Sequence, residues 1–108
     1  MEAKSVQQDG ITIIQVSGEI NITTSPELKR VFEKNNSKKV VVDLEKVTYI
    51  DSSGLATLVE MLKRMKGQGG SLGLVGLSDK VRSLFEITKL DKLFSVFKNQ
   101  QDAITQAK

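Results

Sequence analysis

Two adjacent serines beside a carboxylate are the residues of this chain best suited to chemistry. They lie in Asp51-Ser52-Ser53-Gly54-Leu55, called here the serine segment, directly before a helical apolar stripe. One side-chain oxygen can cap that helix by accepting a backbone N–H. Ser53 is the preferred cap, with Ser52 and Asp51 as alternatives, so Ser53→Ala is expected to cost about 1 kcal/mol. On local physics alone, a helix cap explains the segment.

A cap uses one side chain, so a second hydroxyl of the serine segment is left over. An anion such as phosphate at that hydroxyl would meet exposed amides and the positive end of the helix. The Asp51 carboxylate would oppose it by like-charge repulsion. The segment is therefore also a candidate anion site.

The rest of the composition argues against enzyme chemistry. The 108 residues include neither Cys nor His, which excludes disulfides, thiolate zinc sites, cysteine nucleophiles and serine–histidine–acid triads. A serine nucleophile would need a lysine base, and neither Lys46 nor Lys63 has a diagnostic spacing. No spaced cluster of acidic residues resembles a calcium loop. We therefore expect no catalysis, no cofactor and no metal site.

The charge is mildly basic and evenly spread. The formal net charge is +3 and the pI is about 9.2, but basic side chains alternate with acidic ones, and no basic run is interleaved with aromatic residues. We predict no nucleic-acid partner. No stretch approaches 18 apolar residues and residues 1–5 have no apolar core of a signal peptide, so we expect no membrane association. Without Cys, the predicted location is the cytoplasm.

Apolar periodicity predicts the elements that must position the serine segment. A strand hairpin that turns at Asp9-Gly10 is followed by alternating helices and strands. Strands are predicted at residues 6–8, 11–16, 40–44, 71–75 and 93–97. Helices are predicted to begin at Ser25 or Thr24, in the serine segment, at Ser78 and at Gln101.

The boundaries between these elements are set by turn residues. Gly18 is expected to end the second strand, with loops at 19–23 and 45–50, and Asn35-Asn36 to end the first helix. The nearly continuous apolar run at 40–44 predicts a central strand that is buried on both faces. The expected fold is a single α/β domain with a mixed sheet of about five strands and helices packed against it.

Four segments occur in the order that is typical of STAS domains, and the chain resembles a bacterial anti-sigma factor antagonist of that family. The resemblance covers about residues 6–101 of a single domain predicted over 1–108. The segments are Gly18-Glu19-Ile20-Asn21, Val41-Val42-Asp43-Leu44, Tyr49-Ile50 with the serine segment, and Gly69-Gly70 before a strand.

The resemblance implies a regulatory cycle. In that family the anti-sigma factor is a serine kinase that phosphorylates a Ser of this segment, and the position carried over is Ser52, with Ser53 as second choice. The unphosphorylated protein would bind the anti-sigma factor and release sigma, phosphorylation would end the binding, and a phosphoserine phosphatase would restore it. We expect a monomer when the protein is free.

The resemblance also implies a partner-binding surface around the serine. We predict that it includes Gly18, Glu19, Asn21, Asp51, Ser52, Ser53, Gly54 and Leu55. A strand-ending turn is an equal alternative for the first three, and core packing for Leu55. Two positions depart from the family pattern, because Asn21 stands where an Asp is frequent and Ala56 where a second Gly is common.

A second interpretation keeps the family and changes the role. The chain would then be a STAS interaction module of another regulatory or transport assembly, and Ser52 would be only structural. The stand-alone length and the intact Asp-Ser-Ser-Gly sequence favour the antagonist.

Overall fold

Five strands form one sheet in which neighbours in space are also neighbours along the chain. The computed structural model describes residues 1–34 and 37–107. The strands are β1 (Glu2–Gln8), β2 (Ile11–Ile20), β3 (Lys39–Ile50), β4 (Ser71–Val75) and β5 (Ser95–Phe97), in the order β1-β2-β3-β4-β5. The helices are α1 (Ser25–Glu33), α2 (Ser52–Gly67), α3 (Asp79–Ile87) and α4 (Gln100–Ala107), with a 3-10 helix at Leu90–Lys92.

The sheet is mixed because it opens with a hairpin and continues by crossovers. β1 pairs antiparallel with β2, and the tight turn between them is accommodated by positive φ at Asp9 (54°) and Gly10 (78°). β2, β3, β4 and β5 are parallel, each joined to the next through a helix. The predictions of the fold class and of a central third strand are confirmed.

The helices cover the two faces of the sheet unequally. Val40, Val42 and Leu44 of β3 belong to a large core shared with α1, α2 and α3. Val41, between them, belongs to a smaller core with Ala103 and Ile104 of α4. Successive side chains of a strand point to opposite faces, which explains why the run at residues 40–42 of β3 is apolar without interruption.

Four strands differ in length from the prediction. β1 starts at Glu2, because residues 2–5 pair with β2. β2 runs through Gly18 to Ile20 and β3 runs on to Ile50, where loops were expected, because these polar stretches pair in parallel with each other. β5 begins later than expected, because the N–H groups of Leu93 and Phe94 donate to the Leu90 carbonyl at the end of the 3-10 helix. The predicted helix end at Asn35-Asn36 lies outside the described residues.

Two ion pairs join α1 to α2 at the surface. Lys29 Nζ lies 2.9 Å from Glu60 Oε1, and Arg64 pairs with Glu33. The hydrogen bond between Lys29 and Glu60 raises the pKa of the ammonium and lowers the pKa of the carboxyl. These side chains are about half exposed, so the two pairs add little stability.

The two edges of the sheet have different character. β1 forms one edge and exposes the charged residues Glu2 and Lys4, whereas β5 forms the other edge with only three residues. Within the described part of the chain, no helix combines the length and apolarity needed to cross a bilayer.

Candidate functional site

Asp51 holds the start of α2 against the end of β2. Its Oδ1 accepts the backbone N–H of Gly54 at 2.9 Å, and its Oδ2 accepts that of Ile22 at 3.2 Å. The Asp51 N–H in turn donates to the Ile20 carbonyl at 3.1 Å. Both carboxylate oxygens are thus committed to backbone amides at the ends of two elements.

The preferred cap of the sequence analysis was wrong. Asp51 has extended dihedrals and caps α2, whereas Ser52 and Ser53 are already helical. A cap accepts from the second or third helical amide, and Gly54 is the third, so the serines come too late in the chain. A carboxylate also suits the positive end of the helix better than a neutral hydroxyl.

Gly54 brings α2 into direct contact with the strands. It is buried, and a Cβ on it would lie 2.7 Å from the Ile20 carbonyl oxygen and 2.8 Å from Ile50 Cγ2. No side chain fits at that distance without displacing backbone. The glycine of the serine segment therefore sets the depth at which the helix start is seated.

The two serines differ in their surroundings. Ser52 is the first residue of α2 and is exposed, while Ser53 is half-buried and its carbonyl accepts from Thr57 Oγ1 at 3.0 Å. Neither hydroxyl has a hydrogen-bond partner among the described residues. Leu55 is only 7% exposed and packs in the large core, as its alternative assignment predicted. Ser52 is thus the more exposed of the two serines.

Asn21 shapes the turn between β2 and α1. Its Oδ1 accepts the N–H groups of Thr23 at 3.0 Å and Thr24 at 3.1 Å. Thr24 Oγ1 accepts the Asn21 N–H at 2.9 Å and donates to the Glu19 carbonyl at 2.8 Å. Thr24 is the N-cap residue of α1 but makes no side-chain cap bond, and Ser25 is the first helical residue. Asn21 supplies the acceptor that an Asp would supply here.

The paired ends of β2 and β3 bring part of the predicted surface together. Ile20 lies opposite Ile50 and exposed Glu19 lies opposite Tyr49, close to the serine segment. Gly18 lies further back, at a bulge with φ +90°, and a Cβ there would approach the backbone of Met1 to 3.2 Å. Gly18 therefore has a backbone role.

A groove of about 400 Å³ opens beside Ser52, between α2 and α3. Its lining is mostly apolar, and Tyr49 and Ile87 at its border are 42% and 79% exposed. Ile22, the residue whose amide binds Asp51, is 74% exposed. Exposed apolar side chains gathered at one place indicate a protein-binding surface.

Lys80 and Ile87 line this groove and were not predicted from the sequence. Asp51 and Ser52 also line it and were among the predicted residues. Lys80 Nζ lies 5.5 Å from the centre of the Tyr49 ring, within the range of a cation–π contact. From the sequence, Lys80 is predicted to be an ordinary exposed charge. Ile87 gives no signal either, because it lies outside the apolar stripe of its helix. These residues lie near Ser52 only because α3 packs against β3, and no local sequence pattern predicts that contact. Among the described residues no cluster of acidic side chains could hold a metal ion.

Comparison with known families decides the assignment. The model of the STAS domain matches residues 2–103. The chain belongs to the STAS domain family. This confirms the resemblance drawn from the four sequence segments, and the serine segment of this STAS domain is the start of α2.

Several known proteins are similar to this STAS domain over most of their length. The anti-sigma-B factor antagonist of Staphylococcus aureus is 34% identical over 99 residues, which cover 89% of this chain and 92% of that protein. The anti-sigma-B factor antagonist of Listeria monocytogenes is 37% identical over 99 residues, 89% of this chain and 86% of that protein. The crystal structure of an anti-sigma factor antagonist from Mycobacterium paratuberculosis superposes with a TM-score of 0.90 at 28% identity, over 98% of this chain and 92% of that one.

Proposed function

We propose that this STAS domain is an anti-sigma factor antagonist controlled by phosphorylation of Ser52. The unphosphorylated form binds an anti-sigma factor and so releases a sigma factor, and the phosphorylated form does not bind. The observation that carries the proposal is the exposed Ser52 hydroxyl beside exposed apolar side chains. The similar proteins named anti-sigma-B factor antagonists support it.

In this proposal, the residues around Ser52 divide into a contact set and a supporting set. Exposed Glu19, Ile22, Tyr49, Ser52 and Ile87 meet the partner. Among the other predicted residues, Asp51 and Asn21 are held by backbone hydrogen bonds, and Gly54 and Leu55 are buried. These hold the contact set in place, as do Gly18 and Ser53 from positions that are partly buried.

A phosphate on Ser52 would act on the interface and leave the fold intact. The N-terminus of α2 favours an anion by about 0.3–1 kcal/mol, and repulsion from Asp51 offsets part of this. Binding has no such compensation, because about −1.5 to −2 charges must be desolvated against a surface that fits a neutral hydroxyl. A loss of about 3 kcal/mol in binding is already more than a hundredfold in affinity.

The domain itself catalyses nothing in this cycle. The anti-sigma factor acts as the serine kinase and supplies the ATP chemistry, and a phosphoserine phosphatase removes the phosphate. Carefully purified protein incubated with ATP alone is therefore expected to stay unlabelled.

In the decisive experiment, the protein is incubated with ATP and candidate anti-sigma kinases of its own organism. The phosphorylated residue is then mapped. Ser52→Ala is expected to abolish labelling and to leave a constitutive binder. Ser53→Ala, the matched control, is expected to be labelled and released normally. Labelling that depends on Ser53 and survives Ser52→Ala would reverse the two roles. A parent protein that binds none of the kinases would refute the antagonist function.

A further inference from the structure

The groove beside Ser52 contains a cation that has no carboxylate partner in the described part of the chain. The ion pairs found there are Lys29–Glu60, Arg30–Glu27 and Arg64–Glu33, none of which includes Lys80. The Lys80 ammonium instead lies 5.5 Å above the centre of the Tyr49 ring. A cation–π contact at an exposed site is weak, so the ammonium can be drawn away by a stronger partner.

Among the residues that the structure describes, Lys80 is also the only cation that lines the groove. The charged side chains of the lining are Asp51 and Lys80, and Tyr49 is its other titratable group. Both oxygens of Asp51 accept backbone N–H groups. Glu19 of β2 is exposed and lies opposite Tyr49 in the paired strands, outside the lining of the groove. A new anion at Ser52 would therefore find its cation in Lys80, across the groove.

We propose that Lys80 pairs with the phosphate on Ser52 and leaves the Tyr49 ring when it does so. The lysine side chain is flexible and carries three N–H donors, which suits a phosphate approached from the side. This inference rests on the proposed function for the choice of Ser52. Phosphorylation then changes the interface in two ways, because it adds an anion at Ser52 and also moves a cation from the Tyr49 ring toward that anion.

The test uses protein in which phosphoserine is incorporated genetically at position 52, so neither a kinase nor an anti-sigma factor is needed. The second ionisation of the phosphate is followed by ³¹P NMR in the parent, K80Q and K63Q. Lys63 is the matched control, since it is exposed on α2 and lines a separate cleft with Val59, Glu60 and Leu90. A nearby ammonium favours the dianion and lowers the phosphate pKa.

The expected result is a phosphate pKa that is higher in K80Q than in the parent by about 0.5–0.8 pH unit, the effect in water of one charge at the separation of an ion pair, about 4 Å. K63Q is expected to match the parent within about 0.1 unit. Glu19, Asp51 and Tyr49 are present in all three proteins, so their influence cancels in the comparison. Equal pKa values in K80Q and K63Q would overturn the proposal.

Tyr49 gives an independent readout because it is the single tyrosine of a chain without tryptophan. Its ring-proton resonances and its fluorescence are expected to change between the unphosphorylated and phosphorylated parent, and between the two forms of K63Q. In K80Q the ammonium is absent from both forms, so the change is expected to shrink by more than half. An undiminished change in K80Q would also overturn the proposal. Both results stand apart from kinase labelling and partner binding, which test the proposed function.

Discussion

Asp51 Oδ2 accepts the backbone N–H of Ile22 across 29 residues of chain, at 3.2 Å. With the Gly54 amide on its other oxygen, the same carboxylate fixes the start of α2 to the turn after β2. The serine that we propose as the switch is the next residue in the chain. It therefore projects from a fixed point of the fold, next to a carboxylate that is occupied by structural hydrogen bonds.

This arrangement predicts that Asp51, and neither serine, carries the capping energy. Asp51→Ala is expected to lower the free energy of unfolding by about 1–2 kcal/mol, because it removes the cap and leaves the Ile22 amide without its partner. Ser53→Ala is expected to stay within about 0.5 kcal/mol of the parent. Denaturant titration of both variants measures this. A greater loss in Ser53→Ala than in Asp51→Ala would contradict the cap assignment.

Two glycines of the same helix are predicted to respond in opposite ways to alanine. Gly54→Ala is expected to destabilise the protein by about 1–3 kcal/mol, because its Cβ would collide with the Ile20 carbonyl. Gly67→Ala meets nothing within 4 Å and, as an exposed helical position, is expected to be neutral or stabilising by up to about 1 kcal/mol. Thermal melts measure both effects. A Gly54→Ala protein as stable as the parent would show that α2 does not pack directly against the ends of β2 and β3.

A negative charge at Ser52 is predicted to weaken binding without unfolding the domain. Ser52→Asp is expected to melt within a few degrees of the parent, since the scaling for small domains is about 4–8 °C per kcal/mol and the local terms nearly cancel. It is expected to bind the anti-sigma factor at least tenfold more weakly in a titration.

The control for that variant adds the same charge elsewhere. Gln101 is exposed on α4, which covers the face of the sheet opposite to α2. Gln101→Glu is expected to bind the anti-sigma factor with an affinity within about twofold of the parent. A much lower melting temperature for Ser52→Asp would indicate a switch that works by local unfolding. Normal binding by Ser52→Asp would exclude Ser52 as the switch.

The exposed apolar border of the groove is predicted to contribute to binding. Ile87→Ala is expected to weaken binding to the anti-sigma factor by about fivefold, the equivalent of about 1 kcal/mol, with little change in stability at a side chain that is 79% exposed. Val6→Ala, at an exposed apolar residue on β1, is the matched control and is expected to leave binding unchanged. Equal affinities in a calorimetric titration would place the partner elsewhere.

The sequence predicted the parts of this fold that rest on local apolar patterns. The order of the elements, the central position of β3 and the bounds of β4 follow from short apolar runs between turn residues. The Ser78 cap of α3 was predicted from its place before an apolar stripe, and its Oγ accepts the Val81 N–H at 3.3 Å.

The remainder depended on contacts between distant parts of the chain. Residues 17–20 and 45–50 are mostly polar and form strands because they pair with each other. Which residue caps α2 depends on the backbone conformation directly after β3, and the apolar periodicity of the sequence does not predict that conformation. Lys80, Tyr49 and Ile87 come together only when α3 packs beside β3, so no spacing in the sequence could have indicated the groove.

The unequal edges of the sheet bear on how this protein behaves when it is concentrated. An open edge strand offers unpaired backbone groups on which a second molecule can add its own strand, and repeated addition leads to fibres. A second copy whose strand paired with β1 would have to accommodate the exposed charges of Glu2 and Lys4. At the other edge, β5 has only three residues with which an added strand could pair. Both edges thus disfavour the addition of further strands. The partners of the domain are therefore selected by its surface side chains and not by pairing with the backbone of an edge strand.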